Sequence, residues 1–196
     1  MTGVTQLNME IGPKLLELMH EVVPAAKDIA LLVNPKNPNA ESMSKNLQAA
    51  AGTLGVNLHV LNGGSERDID TAIASAVQLR AGGLVLGGDP VINTLSAHIA
   101  SLALHHKLPT IYQSRVFAEA GGLMTYGGNA METHRQAGLY AGRILKGEKP
   151  ADLPVVQATK VELVINMKTA KALGITIPIS QRPLPGEHWP ANSQSV

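Results

Sequence analysis

Short runs of aliphatic and β-branched residues alternate along this chain with longer segments whose apolar residues recur at helical spacing. The clearest short run is Ile29-Ala30-Leu31-Leu32-Val33, and the clearest helical segment follows it from about Ala40 to Leu54. A strand that is apolar at every position has no polar face to turn to water, so helices must cover both of its sides. The alternation therefore predicts an α/β fold with a doubly wound parallel sheet.

The same pattern continues to about residue 174. We predict strands at 29–33, 57–61, 82–86, 109–112, 121–126 and 161–165, and helices at about 13–22, 40–54, 69–79, 90–106, 132–145 and 167–173. The core α/β unit then spans about Gly12 to Tyr112. Residues from Pro178 onward are rich in proline and polar residues, which is typical of a loose tail.

Composition excludes several classes of function. Lys and Arg number 16 against 15 Asp and Glu, and no basic stripe with interleaved aromatic residues occurs, so nucleic acid is not expected as a partner. The chain has no cysteine, which excludes disulfides, thiolate nucleophiles and Cys-type metal sites. The first residues have neither a basic start nor an apolar run, so no signal peptide or membrane helix is predicted here.

The motifs of catalysis and cofactor binding are also missing from the sequence. The seven histidines have no metal-ligand spacing, and Gly87-Gly88-Asp89 lacks the Gly-Lys-Ser/Thr of a phosphate loop. No serine lies in a Gly-x-Ser-x-Gly elbow. We therefore expect no metal, no cofactor and no enzymatic activity.

Polar residues follow each predicted strand of the core. In an open parallel sheet a ligand lies beyond the carboxyl ends of the strands, where loops bring polar groups together. Each residue has a structural alternative, because asparagine shapes turns, Asp89 before Pro90 is a plausible helix cap, and a tyrosine ring fills a core as well as it lines a cleft. The residues predicted to bind a ligand are Asn34, Asn37, Asp89, Tyr112, Gln113 and Tyr126.

Particular strings of residues resemble one protein family. They are TGVT at 2–5, LLVNPKNP at 31–38, GGLMTYG at 121–127, GLYAGRILKGEKPADLP at 138–154 and VELVINMKTAKALG at 161–174. On these strings the chain is identified as a member of the ABC transporter substrate-binding proteins of tryptophan/tyrosine type. The resemblance covers nearly everything from Thr2 to Pro178.

This resemblance implies a type I periplasmic-binding fold of two lobes, with a chain that crosses the hinge between them three times. Family members are exported to the periplasm, bind a small solute and deliver it to an ABC permease. The TGVT string lies at the first crossing, so most of the first lobe is expected to be missing here. The implied division is 1–121 for the second lobe, 122–153 for a return segment into the truncated first lobe, 154–177 for a C-terminal strand and helix, and 178–196 for the tail.

The predicted function is therefore capture of a small organic solute, such as an amino acid, by hinge closure. The alternatives are the ligand-sensing domain of a regulator with the same fold, and a truncated receptor without function. Since one lobe buries only part of a ligand, we expect no tight amino-acid binding by this chain alone. We also expect a homodimer, because the helix at 132–145 would pack on the missing lobe and has an apolar face left to cover.

Overall fold

The computed structural model describes residues 2–6, 11–128, 130–158 and 161–177 of the chain, so the predicted tail at 178–196 lies outside the described residues. The strands of this part are β1 Gly3–Gln6, β2 Asp28–Val33, β3 Asn57–Asn62, β4 Leu84–Leu86, β5 Thr110–Tyr112, β6 Met124–Gly128, β7 Val155–Ala158 and β8 Val161–Ile165. The helices are α1 Gly12–Val22, α2 Ala40–Leu54, α3 Glu66–Gln78, α4 Pro90–Thr94, α5 Ser96–His105, α6 Arg115–Glu119, α7 Ala130–Leu145 and α8 Met167–Leu173, with a 3-10 turn at Pro150–Asp152.

The strands form two sheets. The large sheet has six strands in the order β3-β2-β4-β5-β6-β8, and the small sheet pairs β1 with β7. Every pair in the large sheet is parallel except β6 with β8, which is antiparallel. This arrangement confirms the predicted α/β fold with a doubly wound, mostly parallel sheet.

Alternate residues of β2 show why helices cover both faces of the large sheet. Ile29, Leu31 and Val33 belong to one buried cluster, whereas Ala30 and Leu32 belong to a second cluster on the other face. Residues of α1, α2 and α8 complete the first cluster, and residues of α3, α5 and α6 complete the second. Since strand side chains alternate between faces, a strand that is apolar throughout contributes to two cores at once.

The large sheet includes two strands from the part of the chain after residue 121. Strand β6 pairs with β5, and β8 pairs with β6 over its full length. Helix α8 is fixed to the same body, because the Thr169 hydroxyl donates to the Gly121 carbonyl at 2.8 Å and the Asn166 backbone N–H donates to the Leu123 carbonyl at 2.7 Å. Strand β8 and helix α8 are therefore part of the same body as the large sheet.

Helix α7 and the small sheet form a minor unit beside this body. Helix α7 packs against β1, and Tyr140 is its buried contact residue. The Thr2 and Tyr140 hydroxyls both donate to the Pro154 carbonyl, at 3.1 and 3.0 Å. Three other large apolar residues of α7 are exposed, Met131 at 82%, Leu139 at 50% and Leu145 at 88%.

Candidate functional site

The carboxyl ends of β2, β4, β5 and β6 meet at one edge of the large sheet because these strands run parallel. Asn34 and Asn37 follow β2, Asp89 follows β4, and Tyr112 ends β5. Hydrogen bonds join these four residues across the edge. We call Asn34, Asn37, Asp89 and Tyr112 the edge network.

Asp89 is the centre of the edge network and is only 5% exposed. The Asn34 side-chain amide lies 3.2 Å from both carboxylate oxygens of Asp89, and the Asn37 amide donates to Oδ2 at 2.9 Å. The backbone N–H of Val91 donates to Oδ1 at 2.8 Å, so Asp89 also caps the start of α4. Asp89 is therefore the N-cap of α4, and its carboxylate also accepts from two side-chain amides.

The two asparagines combine turn formation with contact to Asp89. The Asn34 side-chain oxygen accepts from the Lys36 backbone N–H at 3.0 Å, and the Asn37 oxygen accepts from that of Asn39 at 2.9 Å. Such Asx turns leave the NH₂ end of each side chain free to point elsewhere. Here both NH₂ groups point across to the β4 loop, where Asn37 also donates to the Gly88 carbonyl at 3.0 Å.

Tyr112 occupies a different position from the one expected of a cleft-lining ring. Its side chain is fully buried in the cluster beneath α5 and α6, where its ring meets Phe117 edge to face with centroids 5.8 Å apart. Only its hydroxyl reaches the edge network, donating to the Asp89 carbonyl at 3.2 Å. Burial raises the pKa of the Tyr112 phenol to about 12. The ring fills the core because it extends inward from the end of a strand that is buried on both faces.

Gln113 lines a larger cavity of about 350 Å³ between α6 and the β6–β8 pair. Its side-chain amide also packs against Gly88, where a Cβ would lie 2.5 Å from Nε2. The cavity contains an ion-paired cation, since Arg115 Nε lies 3.0 Å from Glu119 Oε1 and Arg115 Nη1 lies 3.6 Å from Glu162 Oε2. The sequence prediction did not include this cavity as a site, because Glu162 joins Arg115 only through the pairing of β8 with β6.

Tyr126 lies apart from the edge network. Its partly buried ring packs on the cluster that contains α1, α2 and α8 residues, and its register partner in β8 is Leu163. Thr125 and Gly127, on the opposite face of β6, line the cavity beside Gln113. The structure therefore brings four of the six predicted residues together, places Gln113 next to them and separates Tyr126.

A second, very small cavity adjoins the edge network itself. It has a volume of about 10 Å³ and lies between the β2 and β4 loops, with Asn34, Asn37 and Asp89 on its polar side and Ala40 and Met43 on its apolar side. Among the described residues, no group of three His, Asp or Glu is arranged to hold a metal ion. No helix in the described ranges is long and apolar enough to span a membrane.

Comparisons with known proteins point to one family. A model of the ABC transporter substrate binding proteins matches residues 1–187. A tyrosine-binding protein of Clostridioides difficile is 27% identical over 162 residues, which are 82% of this chain and 46% of that protein. The chain thus spans about half the length of this curated relative.

Two solved structures share both the fold and part of the sequence. A conserved domain protein from Vibrio cholerae has a TM-score of 0.80 and 26% identity, covering 92% of this chain and 60% of its own. The ABC domain in complex with L-Trp from Streptococcus pneumonia has a TM-score of 0.79 and 26% identity, covering 92% of this chain and 62% of its own. Both neighbours contain a substantial part that this chain does not match.

Proposed function

The chain belongs to the ABC transporter substrate-binding protein family, and on that premise we propose that it captures a small organic solute for an ABC importer. Since members of this family bind substrates, we infer that the protein is a binding protein and not an enzyme. We further propose that it works outside the cytoplasm, in the periplasm, and that its partner is an ABC permease.

The observation that supports a solute site is the edge network. Three polar side chains from two separate loops, those of Asn34, Asn37 and Asp89, meet at the carboxyl edge of the sheet. The hydroxyl of the buried Tyr112 donates to the Asp89 carbonyl. Ligands of open α/β sheets bind at this edge. The solute would contact Asn34, Asn37 and Asp89 directly, with Gln113 beside them, whereas Tyr112 acts by positioning Asp89.

Hinge closure is the second part of the proposal. The chain passes between the large sheet and the unit of α7 and the small sheet three times, after β1, after β6 and after β7. Segments of this kind between two packed bodies are the usual sites of hinge motion. The crossing after β6 leaves the same sheet edge that contains the edge network, so a solute bound there lies beside the hinge.

We propose an aromatic amino acid as the solute, because the relatives include a tyrosine-binding protein and a domain in complex with L-Trp. The test is a nuclear magnetic resonance titration of the nitrogen-15-labelled chain with L-tryptophan, L-tyrosine and a panel of other amino acids. We expect weak binding, with shifts at the amides of Gly88, Asp89 and Val91. Shifts confined to the opposite edge, around Asp28 and Asn57, would contradict the proposed site.

Calorimetry on the same chain gives an independent check of affinity. One lobe surrounds only part of a solute, whereas good small-molecule sites bury about 70–90% of a ligand's surface. We therefore expect no tight binding by the isolated chain. Binding of any amino acid at a micromolar or lower dissociation constant would show that the described lobe forms a complete site.

We also propose that this chain forms a homodimer through the region from Tyr126 to Gly174. Within it, Met131, Leu139 and Leu145 of α7 are 82%, 50% and 88% exposed. Large apolar side chains exposed together on one element mark interfaces more often than free surface. Light scattering tests the proposal: a dimer should have twice the 20.6 kDa chain mass, and Leu139→Glu should lower it. A wild-type mass near 20.6 kDa at micromolar concentration would refute the dimer.

A further inference from the structure

Four cations lie along the edge of the large sheet that is opposite the edge network. Lys27 precedes β2, Arg80 precedes β4 and Lys107 precedes β5, and these three parallel strands are neighbours in the sheet. Lys168 lies at the start of α8, which begins at the same edge because β8 runs antiparallel to β6. All four residues are exposed. We call this edge, where β2, β4 and β5 begin, the amino edge.

These cations have no anionic partner in the part of the chain that the structure describes. None of them belongs to an ion pair there. Asp28 also lies at the amino edge, but its Oδ1 is 2.7 Å from His59 Nε2 and accepts from the Asn57 amide at 3.2 Å. Glu21, in the last turn of α1, likewise has a partner. The unpaired charge at this edge is therefore positive.

The two edges of the large sheet differ in charge. The whole chain is nearly neutral, with 16 Lys and Arg against 15 Asp and Glu, so an excess of cations at one edge leaves anions elsewhere. Acidic residues gather at the carboxyl edge, in the first turns of α2 and α3 and before α4: Glu41, Glu66, Asp68 and Asp89. An anionic surface would therefore be attracted to the amino edge and repelled by the carboxyl edge.

Two of the cations occupy backbone positions that favour glycine. Arg80 and Lys107 have φ of 54° and 53°, a left-handed conformation that is unfavourable for residues with a side chain. Helices α2 and α8 end in the same kind of turn with Gly55 and Gly174. A cation is favourable near a helix C-terminus, but one turn earlier it would have this benefit without the strain. The turns alone therefore do not explain Arg80 and Lys107.

Large apolar residues are exposed beside these cations. Val77 and Leu79 come just before Arg80 at the end of α3, and Met167 comes just before Lys168 at the start of α8. Exposed apolar side chains among cations are typical of surfaces that bind at a membrane interface, where cations meet lipid phosphates and apolar groups enter the headgroup region. A soluble polyanion would be attracted by the cations but would gain little from the apolar residues.

From these observations we infer that the amino edge docks on a membrane surface that contains anionic lipid. The four cations would lie over lipid phosphates, and Val77, Leu79 and Met167 would enter the headgroup region. This orientation turns the carboxyl edge away from the membrane, so docking would leave that edge open to the solution. The inference goes beyond the proposed function and does not depend on which solute is captured.

Vesicle sedimentation tests this inference on the 196-residue chain. We expect the chain to bind vesicles of mixed phosphatidylglycerol and phosphatidylcholine, and not vesicles of phosphatidylcholine alone. Raising the ionic strength from about 0.1 M to about 1 M should release the chain, because the Debye length falls from about 10 Å to about 3 Å. Equal binding to both kinds of vesicle would overturn the inference, and so would an absence of binding to either at millimolar lipid.

A double variant removes two cations without straining the fold. Arg80→Gly with Lys107→Gly supplies the residue that each turn favours, and it should weaken vesicle binding about thirtyfold, since each cation near an anionic surface contributes about 1 kcal/mol. The matched control, Lys36→Ala with Arg67→Ala, removes the same charge from the carboxyl edge and should bind like the wild type. Equal losses in the two double variants, or no loss in the glycine variant, would overturn the role of the amino edge.

Leu79→Ser and a soluble polyanion distinguish a membrane from dissolved phosphate. Leu79→Ser keeps every cation, so it should weaken vesicle binding while leaving its salt dependence unchanged. Inorganic polyphosphate should compete only weakly, because it offers phosphates without an apolar phase. Full competition by polyphosphate, together with vesicle binding that Leu79→Ser does not change, would assign the amino edge to a soluble polyanion and overturn membrane docking.

Discussion

Replacing Tyr112 with phenylalanine tests how the edge network depends on the core beneath it. The Tyr112 hydroxyl donates to the Asp89 carbonyl at 3.2 Å and accepts from the Asp89 backbone N–H at 3.4 Å. Phenylalanine removes both contacts and keeps the buried ring against Phe117. Leaving a buried polar group unsatisfied costs about 1–3 kcal/mol. Because both distances are long, we expect a loss of about 1 kcal/mol in the free energy of unfolding at neutral pH.

The effect of Tyr112→Phe should depend on pH in the alkaline range. Burial, together with the charge of Asp89, raises the pKa of Tyr112 from 10.0 to about 12, although the hydrogen bond to the Asp89 backbone opposes this. The unfolded chain therefore ionises first, so the stability from the neutral phenol is complete below about pH 10 and is lost as pH rises toward 12. By about pH 11 the loss is roughly 1.4 kcal/mol, since one tenfold step is worth that amount. The wild-type advantage over Tyr112→Phe should vanish there.

Urea unfolding of both proteins between about pH 8 and pH 11 measures this difference by linear extrapolation. Groups that titrate in the same range affect both proteins equally and cancel in the comparison. Tyr126→Phe is the matched control, because the Tyr126 ring is partly buried and its hydroxyl makes no hydrogen bond with the described residues. It should change stability by less than about 0.5 kcal/mol at neutral pH. A constant difference between wild type and Tyr112→Phe across the pH range would refute the reasoning.

Three further substitutions can be compared by the same urea measurement. Gly122→Ala places a Cβ 2.1 Å from the Phe117 ring and should lower the free energy of unfolding by about 1–3 kcal/mol. Gly52→Ala is the control, because it lies in a helix where a Cβ meets nothing within 4 Å. It should raise the free energy of unfolding by about 0.5–1 kcal/mol. A neutral Gly122→Ala would contradict the close approach of this turn. Asn166→Ala removes the cap bond to the Thr169 N–H at 3.1 Å and should cost about 1 kcal/mol, and an unchanged stability would show that α8 does not depend on it.

Local sequence pattern predicted the central strands because their residues are apolar on both faces. Strands β2, β4 and β5 are buried at almost every position, so their apolar runs in the sequence match their burial in the structure. The pairing of β8 with β6 could not be predicted in this way. It depends on contacts between residues 124–128 and 161–165, with α7 and β7 between them in sequence. The short strands β1 and β7 were missed for the same reason, since each is defined only by the other.

The candidate site was predictable where a residue's position in the chain fixed its place at the sheet edge. Asn34, Asn37 and Asp89 follow strands directly, and parallel pairing brings them together. Tyr112 is also at a strand end, but packing decides the direction of its side chain. Its ring packs against Phe117 in the buried cluster beneath α5 and α6, and so lies in the core. The partners of Arg115 depended on β8, so the larger cavity could not be predicted without the fold.

Hinge closure in this chain would move a small unit over a rigid one. A two-stranded pair is marginally stable by itself in water, and the β1–β7 pair is supported by α7 and by two hydroxyl contacts with the Pro154 carbonyl. Asp89, by contrast, is fixed by two loops, a helix cap and a fully buried tyrosine. On the proposed role of Asp89 in the solute site, its carboxylate would already be oriented before any closure, so the free energy of solute binding would not be spent on ordering it. Motion would be confined to the three crossings, and the large sheet would keep its register.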